Sequence, residues 1–566
     1  MNISKTVYEI VSKARQEVIL SNGLKHNQKE TVKRIEKYLN NEFFERQTEG
    51  IFWAISPTRL INFAKSIDLD TKNLKPVGRG DINFIQAWVL RLKLNKWFKD
   101  NRFAITLNDL SEGLAAYGSM IWKLVDGEDG KDVQEVDLNN IYFDQCTKDL
   151  RKTPKVELHF MSEYELLEKE DVWTETKNGV AEVIKKGKDK DQFEKFEIWE
   201  YWGPYGKEGE KKKFYHCIGF GEGADEIKLF EEYPDKKDDP YYDFHIGKYR
   251  GRWMRIGVVE RLFVLQERAN MIVNENAAST AIASLLLLRS NDPNTEGANV
   301  LDQAVTGQII RSADLQQIGI DNRTLNNFIN EMRLIEDQAD NLCHTPEVIQ
   351  GKSMPSGTPF RGTALIANAA RSTFEYINQR VGETVGYLMV EEILPSIAKK
   401  WNREDILQIA EDEQDISTYD DFVVRFARLH KINEANAMGM VANPLEVEEF
   451  AQDELSKLRE RKIVQPKGFF NFDYGIEMNV TGESQDKTQQ NDAYFNALQM
   501  IQANPAIVDI PLFKQYLENN GIPYFKISKF AKDQMQQQIL GLKGGMVNQN
   551  GQAAATQPEQ PLQQLQ

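Results

Sequence analysis

The chain has 566 residues, 41% of them hydrophobic and 10% aromatic, and is therefore long enough for several domains with apolar cores. Its formal net charge of −16 argues against a static grip on nucleic acid, because tight phosphate binding requires clustered Lys and Arg. The most apolar run, 277–288, has about 12 residues where a bilayer crossing needs roughly 20, and residues 1–23 lack the apolar core of a secretory signal. We therefore expect no contact with a membrane.

Residues 1–250 combine helical and extended patterns. Amphipathic spacing predicts helices at 27–44 and 107–118, and most of 51–100 also has a helical pattern. Several later segments are rich in aromatic and β-branched residues and are bounded by polar turns, which predicts strands at 119–125, 193–202, 213–220 and 241–246. This part of the chain should therefore contain helices followed by a β-rich subdomain.

Two long helical patterns occupy the centre of the chain. In 256–286 the apolar or small positions recur every four or three residues, broken only at Asn276, and 324–346 has the same spacing. We predict two helices that pack side by side. The insert between them, 287–323, contains a Gly/Pro/Asn turn at 291–297. Two short strands are predicted around this turn, at 287–289 and 307–311.

A Gly/Pro/Ser loop at 351–362 leads into a third and longer helix, predicted over 363–401. Its expected N-cap is Thr363, and Pro395 is expected to kink or end it.

The remaining sequence is predicted to be mixed and then mainly helical. Within 402–444, the apolar run at 422–429 favours a strand that returns to the N-terminal sheet. Helical patterns follow in 445–530, and the Gln-rich end, 543–566, has too little apolar surface to fold and is predicted to be disordered. The fold class expected for the whole is α+β, mainly helical.

The sequence contains no recognisable catalytic or metal-binding motif. Its six histidines lie at least 29 residues apart, which excludes HExxH-type spacing. The Gly-Lys-Ser at 351–353 lacks the preceding glycine and spacing of a phosphate loop, and no GxSxG is present. The three cysteines, at 146, 217 and 343, fit neither a disulfide framework nor a CxxC zinc pattern. We therefore expect a protein that is not an enzyme and has no cofactor.

The order of these parts resembles that of the portal (head-to-tail connector) proteins of tailed bacteriophages. The segments that carry the resemblance are LAAYG at 114–118, GVVERLFVLQERAN at 257–270, GQII at 307–310 and GKSMPSGTP at 351–359. The resemblance covers residues 1 to about 530 and lies in the order of the parts.

The resemblance implies a ring, usually a homododecamer, at one capsid vertex of the virion, assembled in the host cytoplasm. Double-stranded DNA would pass through it transiently and without sequence specificity during packaging and ejection. The implied parts are a wing (1–250), two stem helices (256–286 and 324–346), a clip (287–323), a tunnel loop (351–362), a long tunnel helix (363–401), a wing return (402–444), a crown (445–530) and the tail (543–566).

The resemblance also implies two sets of site residues. The tunnel loop would face DNA through Lys352, Ser353, Met354, Ser356, Thr358 and Arg361. The clip would dock the terminase and later the neck or tail adaptor proteins through Arg289, Asn291, Asp292, Asn294, Glu296 and Arg311. The major capsid protein would surround the ring.

Other interpretations remain open at the level of sequence. The four-and-three spacing of the central helices is common in any helical bundle, so the two helices can pack within one chain without a ring. An alternative function is a non-enzymatic helical adaptor or scaffold that never contacts DNA. A further alternative is a nuclease or ATPase subunit whose site is assembled from residues distant in sequence.

Overall fold

The computed structural model describes residues 3–44, 50–67, 69–71, 74–78, 84–127, 130–173, 179–186, 195–206, 212–221, 226–284, 288–289, 316–317, 323–344, 360–399, 413–438, 441–459, 474–478, 495–501, 507, 513 and 517. The chain divides into two compact units, Met1–Val480 and Thr481–Gln566. The described part is mainly helical with small antiparallel sheets, which confirms the predicted α+β class.

The first unit begins with helices and short strands. In chain order they are α1 (Ile3–Arg15), β1 (Val18–Ile19), β2 (Lys25–His26), α2 (Gln28–Leu39), α3 (Ile55–Ser66), β3 (Leu74–Gly78), α4 (Phe84–Asp100) and α5 (Phe103–Tyr117). Helix α2 begins where predicted because the side chain of Asn27 accepts a hydrogen bond from the backbone N–H of Glu30. The helical prediction for 51–100 is wrong at β3, whose strand partner lies far away in the sequence.

The β-rich part follows. Its elements are β4 (Ser119–Asp126), β5 (Lys131–Glu135), β6 (Ile141–Phe143), β7 (Lys155–Met161), α6 (Glu163–Glu168), α7 (Gly179–Lys186), β8 (Phe196–Tyr205), β9 (Lys213–Phe220), β10 (Ile227–Glu232) and β11 (Tyr241–His245). Strands β10-β9-β8-β7-β6 form one antiparallel sheet, named here the large sheet, and β11-β4-β5 form another, the small sheet. The strands predicted at 119–125, 193–202, 213–220 and 241–246 are confirmed, with ends shifted by up to three residues.

Large aromatic side chains fill the space under the small sheet. Trp122 on β4 is fully buried, and its ring centroid lies 4.6 Å from that of Phe244 on β11 and 5.9 Å from that of Phe103 on α5. Trp253, also fully buried, lies 4.8 Å from Phe143 at its ring centroid. These edge-to-face contacts join the small sheet to α5, and the segment before α8 to β6 of the large sheet.

The central helices are α8 (Val258–Ser284), α9 (Arg323–Cys343) and α10 (Phe360–Leu388). They confirm the helices predicted at 256–286 and 324–346 to within three residues at each end. Strand β12 (Leu288–Arg289) pairs with β13 (Gln316–Gln317), so the strand at 287–289 is confirmed but its described partner is not the predicted 307–311, which lies outside the described residues.

Helix α10 differs from prediction at its start. It begins at Phe360, so Thr363 lies inside the first turns and is not the N-cap. Near Pro395, which is expected to kink or end the helix, the regular α-helix stops at Leu388. A π-helical turn at Met389–Ile393 comes directly before α11 (Leu394–Lys399), which contains this proline. The wider turn relieves the clash that a proline ring makes with the carbonyl four residues earlier in an α-helix.

The strand predicted at 422–429 is wrong. These residues lie inside α12 (Glu413–Ala437), which forms a helical hairpin with α13 (Pro444–Arg459). Val423 and Ala427, four residues apart, are the buried positions, which is the helical period rather than the alternation of a strand. After the hairpin, β14 (Tyr474–Met478) pairs with β3. In the second unit, residues 495–501 are helical, as predicted, and Ala497 and Ile501 are buried.

Candidate functional site

Two glycines fix the point where α8 leaves the small sheet. Gly118 ends α5 in a left-handed conformation, with φ of 77°, and a Cβ there would lie 2.5 Å from the backbone oxygen of Arg255. A Cβ on Gly257 would collide with the backbone oxygen of Ala116. Only glycine permits this close approach. The segments 114–118 and 257–270, which carry the family resemblance, therefore meet at the start of α8.

A row of amide side chains on α8 holds the segment that leads into α3. Gln266 Oε1 accepts hydrogen bonds from the backbone N–H groups of Ile55 (3.1 Å) and Ser56 (3.0 Å). These are first-turn donors of α3, whose own N-cap residue, Ala54, has no capping side chain. Gln266 therefore caps a helix that lies more than 200 residues away in the sequence.

The same row continues one and two turns along α8. Asn270 Oδ1 accepts from the backbone N–H of Trp53 (2.8 Å), and Asn274 bonds both the N–H (2.8 Å) and the carbonyl (2.9 Å) of Ile51. Amides four residues apart lie on one helix face, so α8 presents a polar strip that pairs with an extended backbone. Sequence reasoning missed these residues, although their regular spacing at 266, 270 and 274 was a readable signal.

Helices α8 and α9 pack side by side, as predicted, and run antiparallel. Arg261 contacts the carbonyl of Leu342 near one end of the pair, and the guanidinium of Arg268 forms an ion pair with Glu331 (2.7 Å) further along. The seam between and beneath them is apolar, and its buried side chains include Ala269, Ile272, Met332, Ile335 and Ala339. Because the helices are antiparallel, the 287–323 insert connects them at the end remote from α5.

Large apolar side chains on α8, α9 and α10 remain uncovered. They are between 40% and 75% exposed and are here called the exposed apolar set: Val264, Met271, Ile329, Leu334, Leu342, Tyr376 and Tyr387. The start of α8 is covered, since Val258, Val259 and Leu262 are fully buried in the core of the first unit. The central helices are therefore anchored at one end and incompletely covered along their length.

The π-helical turn ties the long helix to the small sheet. Glu392 accepts hydrogen bonds from Lys131 Nζ (2.5 Å) and from the hydroxyl of Tyr242 (2.7 Å). Burial raises the pKa of Glu392, but these two donors outweigh burial and hold the pKa below its usual value. Ser396 adds a hydrogen bond to the backbone N–H of Lys131 (3.0 Å). The end of α10 is thus fixed relative to β5 and β11.

A buried charged cluster joins the two sheets. Glu157 on β7 and Glu200 on β8 stand directly opposite each other, a pairing of like charges that is unfavourable by itself. Lys123, which reaches across from β4, donates to both carboxylates. His159 Nε2 lies 2.7 Å from Glu200 and 3.6 Å from Glu157. One ammonium therefore neutralises the repulsion at the centre of the cluster.

Hydrogen bonds surround Glu200 from several strands. Its Oε1 accepts from Trp202 Nε1 (2.6 Å) and lies 3.0 Å from His216 Nε2. Burial raises the pKa of Glu200, but Lys123 and the two imidazoles hold it well below the usual value, so this carboxylate is ionised. The other nitrogen of His216 lies 2.7 Å from Glu232.

The atoms of Glu157, His159 and Glu200 are close enough to hold a metal ion, since their ligand atoms lie within 4.8 Å of one another. The Nζ of Lys123, however, already donates to the carboxylate oxygens that a metal would use. A cation and this ammonium compete for one position. The cluster is therefore best interpreted as a structural bridge with an internal cation.

A second buried group has the connectivity of a Ser–His–Asp triad. Ser119 Oγ lies 2.8 Å from His245 Nδ1, and His245 Nε2 lies 3.0 Å from Asp243 Oδ2. Ser119 is fully buried, and its Oγ accepts the backbone N–H of Arg255 (2.9 Å). A nucleophile must reach its substrate, so this arrangement does not support catalysis. It fixes the backbone that leads from β11 into α8.

The predicted site residues fall almost entirely outside the described residues. Among the clip residues, Arg289 lies in β12, and among the tunnel-loop residues, Arg361 lies in the first turn of α10. The others lie outside the described residues: Asn291, Asp292, Asn294, Glu296 and Arg311 in the clip, and Lys352, Ser353, Met354, Ser356 and Thr358 in the loop. Their roles stay predictions.

Comparisons with known proteins add a distant likeness. No family model and no curated protein matches the chain. Among solved structures, the chain is similar to one described as the neck of an empty GTA particle computed with C6 symmetry, with 9% identity and a TM-score of 0.35 over 77% of this chain and 99% of that chain. At this TM-score the likeness establishes neither a shared fold nor a shared role. Within the described residues, no helix is both long and apolar enough to span a bilayer.

Proposed function

We propose that this chain is the subunit of a portal-type head-to-tail connector, a ring through which double-stranded DNA is packaged and ejected. The observation that carries the proposal is the exposed apolar set on α8, α9 and α10. Exposed apolar side chains on adjacent elements are typical of surfaces that contact another protein. Identical copies around an axis would cover them, because a cyclic interface joins one face of each subunit to a different face of the next.

Burial of these side chains would favour such an interface. Fully burying one Val, Leu, Ile or Met side chain contributes about 1.5–3 kcal/mol. Val264, Met271, Ile329, Leu334 and Leu342 are at present 40% or more exposed, so their burial would supply several kcal/mol at each contact between subunits. The apolar side chains between α8 and α9 are already buried within the chain. The outer faces of these helices therefore remain for contacts with neighbouring subunits.

The order of the parts supports the same function. The antiparallel pair α8 and α9 carries the 287–323 insert at its remote end, where a clip would be presented to the terminase and to neck or tail adaptor proteins. Residues 351–359 of the predicted loop precede the long helix α10, and Glu392 in the π-helical turn after α10 contacts the small sheet. In a ring, each subunit would contribute one such loop to a shared opening.

An acidic chain suits DNA transit. With a net charge of −16, strong release of counterions on binding is not expected, so a duplex would move without being held. The loop at 351–362 contains Lys352 and Arg361 and no acidic residue. Repetition around a ring would turn these two positive charges into a belt that guides phosphates, with Ser353, Ser356 and Thr358 as neutral hydrogen-bond donors.

Size measurement tests the ring. The purified full-length chain of 65.1 kDa is expected to form a closed particle of about twelve subunits by mass photometry, with an annulus in negative stain. A monomer or dimer under all assembly conditions would overturn the proposal and favour an adaptor or scaffold. Metal-dependent DNA cleavage or nucleotide hydrolysis by the pure protein would overturn the expectation that it is not an enzyme.

A second experiment tests the DNA-facing loop. The K352Q/R361Q double variant is expected to assemble normally but to package or retain DNA less efficiently in a particle assembly assay. The matched control is K99Q/K169Q, which removes the same charge from two exposed lysines on α4 and at the end of α6. If packaging by the loop variant equals that by the control, Lys352 and Arg361 do not face DNA.

A further inference from the structure

A basic cleft opens at the side of the large sheet, away from the central helices described above. It has a volume of about 490 Å³ and lies between the start of β9, the end of β8 and the segment after β10. Its wall carries four ammonium groups and two aromatic rings: Lys152, Lys212, Lys213, Lys236, Phe214 and Tyr233. On a chain with a net charge of −16, such a local excess of positive charge is unexpected.

Lysines outnumber the acidic residues near the cleft. Asp235, which lines the cleft, lies at the start of the 3-10 turn Lys236–Asp238, and its backbone N–H donates to Asp238. Asp149 pairs with Lys152 at 2.7 Å. Among the residues that the structure describes, no carboxylate pairs with Lys213 or Lys236. These two ammonium groups are therefore available to an anion.

The aromatic wall is a rigid surface. Tyr233 is 57% exposed, and its ring centroid lies 5.1 Å from that of Tyr215, which in turn stacks on Tyr205 at 4.9 Å. The hydroxyl of Tyr233 donates to Glu231 (3.2 Å), which fixes the orientation of the ring. Lys213 Nζ lies 6.0 Å from the centre of the same ring, so a positive charge and an exposed aromatic face are presented side by side.

We propose that this cleft binds a nucleoside phosphate, with the base stacked on Tyr233 and the phosphate held by Lys213 and Lys236. Aromatic rings beside a basic groove are the arrangement by which proteins hold unpaired bases. A cleft of this volume accepts about one nucleotide and excludes a duplex. The cations that line this cleft are all Lys, whose ammonium groups bind phosphate as point charges. The ligand is either a free nucleotide or a nucleotide of a single strand, and this inference does not depend on the proposed ring.

Binding of two fluorescent probes to the full-length protein tests the site. One probe is mant-ATP, and the other is a fluorescein-labelled single strand of twelve thymidines, each followed by fluorescence anisotropy. We expect saturable binding of at least one probe, weakened about tenfold or more in K213Q/K236Q and about tenfold in Y233L, on the scale of one lost base stack. Tighter binding of mant-ATP would identify a free nucleotide as the ligand, and tighter binding of the oligonucleotide would identify a single strand.

Three controls make the result decisive. The K99Q/K169Q variant should bind as the wild type does, and all variants should unfold at the wild-type temperature because the substituted side chains are exposed. Poly-glutamate should compete poorly, since it has no base to stack. The proposal is overturned if neither probe binds the wild type, if K213Q/K236Q or Y233L binds both probes as the wild type does, or if poly-glutamate competes as well as the unlabelled oligonucleotide.

Discussion

The buried charges inside the β-rich part have partners within the chain, whereas many apolar side chains on the central helices are exposed. Between the two sheets, Lys123, Glu157 and Glu200 are buried, and each has partners within the chain. On α8 and α9, apolar side chains such as Val264 and Leu334 remain exposed to solvent. The buried charges between the sheets thus have their partners within the chain, whereas the helices leave apolar side chains exposed.

This contrast separates stability from assembly. A substitution among the buried charges should act on the free energy of unfolding, because it leaves a charge or a donor without its partner in a medium of low dielectric. A substitution in the exposed apolar set should leave the folded monomer almost unchanged and act on association. Variants in the two regions can therefore be compared directly, from the largest effect on unfolding to the smallest.

The largest loss is expected from D239N. Lys155 and Asp239 form an ion pair in which both side chains are fully buried. Burial lowers the pKa of Lys155 and raises that of Asp239, and each partner offsets this only in part. Removing one charge strands the other, so we expect a cost of about 3–5 kcal/mol in the free energy of unfolding, measured by urea denaturation.

Two further variants control for this loss. The K155M/D239N double variant removes both charges and keeps an acceptor for the backbone N–H of Tyr241, so it should be more stable than D239N alone. E226Q breaks the exposed pair with Lys186 (3.2 Å) and should cost at most about 1 kcal/mol. If the double variant is less stable than D239N, the unpaired ammonium of Lys155 is not the cause of the loss in D239N.

A smaller loss is expected from Q266L, which lies where the helices meet the body of the first unit. The substitution leaves the N–H group of Ser56 without an acceptor at the start of α3, whereas the N–H of Ile55 keeps the carbonyl of Trp53 (2.8 Å). A buried donor without a partner costs about 1–3 kcal/mol, and we expect a loss of that size by urea denaturation. In N274A, water can replace the exposed bond to Ile51, and the loss should be clearly smaller. Equal losses would show that Gln266 does not cap α3.

The sequence predicted the central helices well because their apolar spacing is local and repeats over many turns. Positions 262, 269 and 272, which follow the spacing of four and three residues, are buried in α8, whereas other apolar residues of the helix, such as Val264 and Met271, are exposed. The run at 422–429 misled because its Val and Phe residues favour strands intrinsically. Its tertiary contacts select the helix that buries Val423 and Ala427.

Contacts between distant segments could not be predicted. Strand β3 depends on β14, about 400 residues later, and nothing in either five-residue segment specifies the other. Likewise, the histidines were judged by their spacing along the chain, but β-sheet pairing brings His159 and His216 to the same carboxylate, that of Glu200. Sequence spacing finds sites built on one helix or one turn and misses those built across strands.

An acid-dependent loss of stability is expected from the cluster around Glu200. The folded protein holds the pKa of this carboxylate well below its usual value of 4.5. Its contribution is therefore fully present above about pH 4.5 and is lost as the pH falls through the folded pKa. E200Q should be less stable than the wild type at pH 7 but should lose less stability between pH 6 and pH 3. If E200Q and the wild type lose the same free energy of unfolding between pH 6 and pH 3, measured by guanidinium denaturation, other groups cause the acid sensitivity.

The smallest effect on unfolding, and the largest on assembly, is expected from L334K. The side chain of Leu334 is 63% exposed on α9, so its replacement should change the free energy of unfolding by no more than about 0.5 kcal/mol. If neighbouring copies cover α9, however, each contact would bury an unpaired ammonium, and the ring should be replaced by smaller species in mass photometry. The matched control is Y164K on α6, which is 71% exposed but lies outside the central helices. Loss of assembly in L334K and not in Y164K would connect the uncovered helix face to self-association, whereas intact rings in both would leave that face free for a different partner.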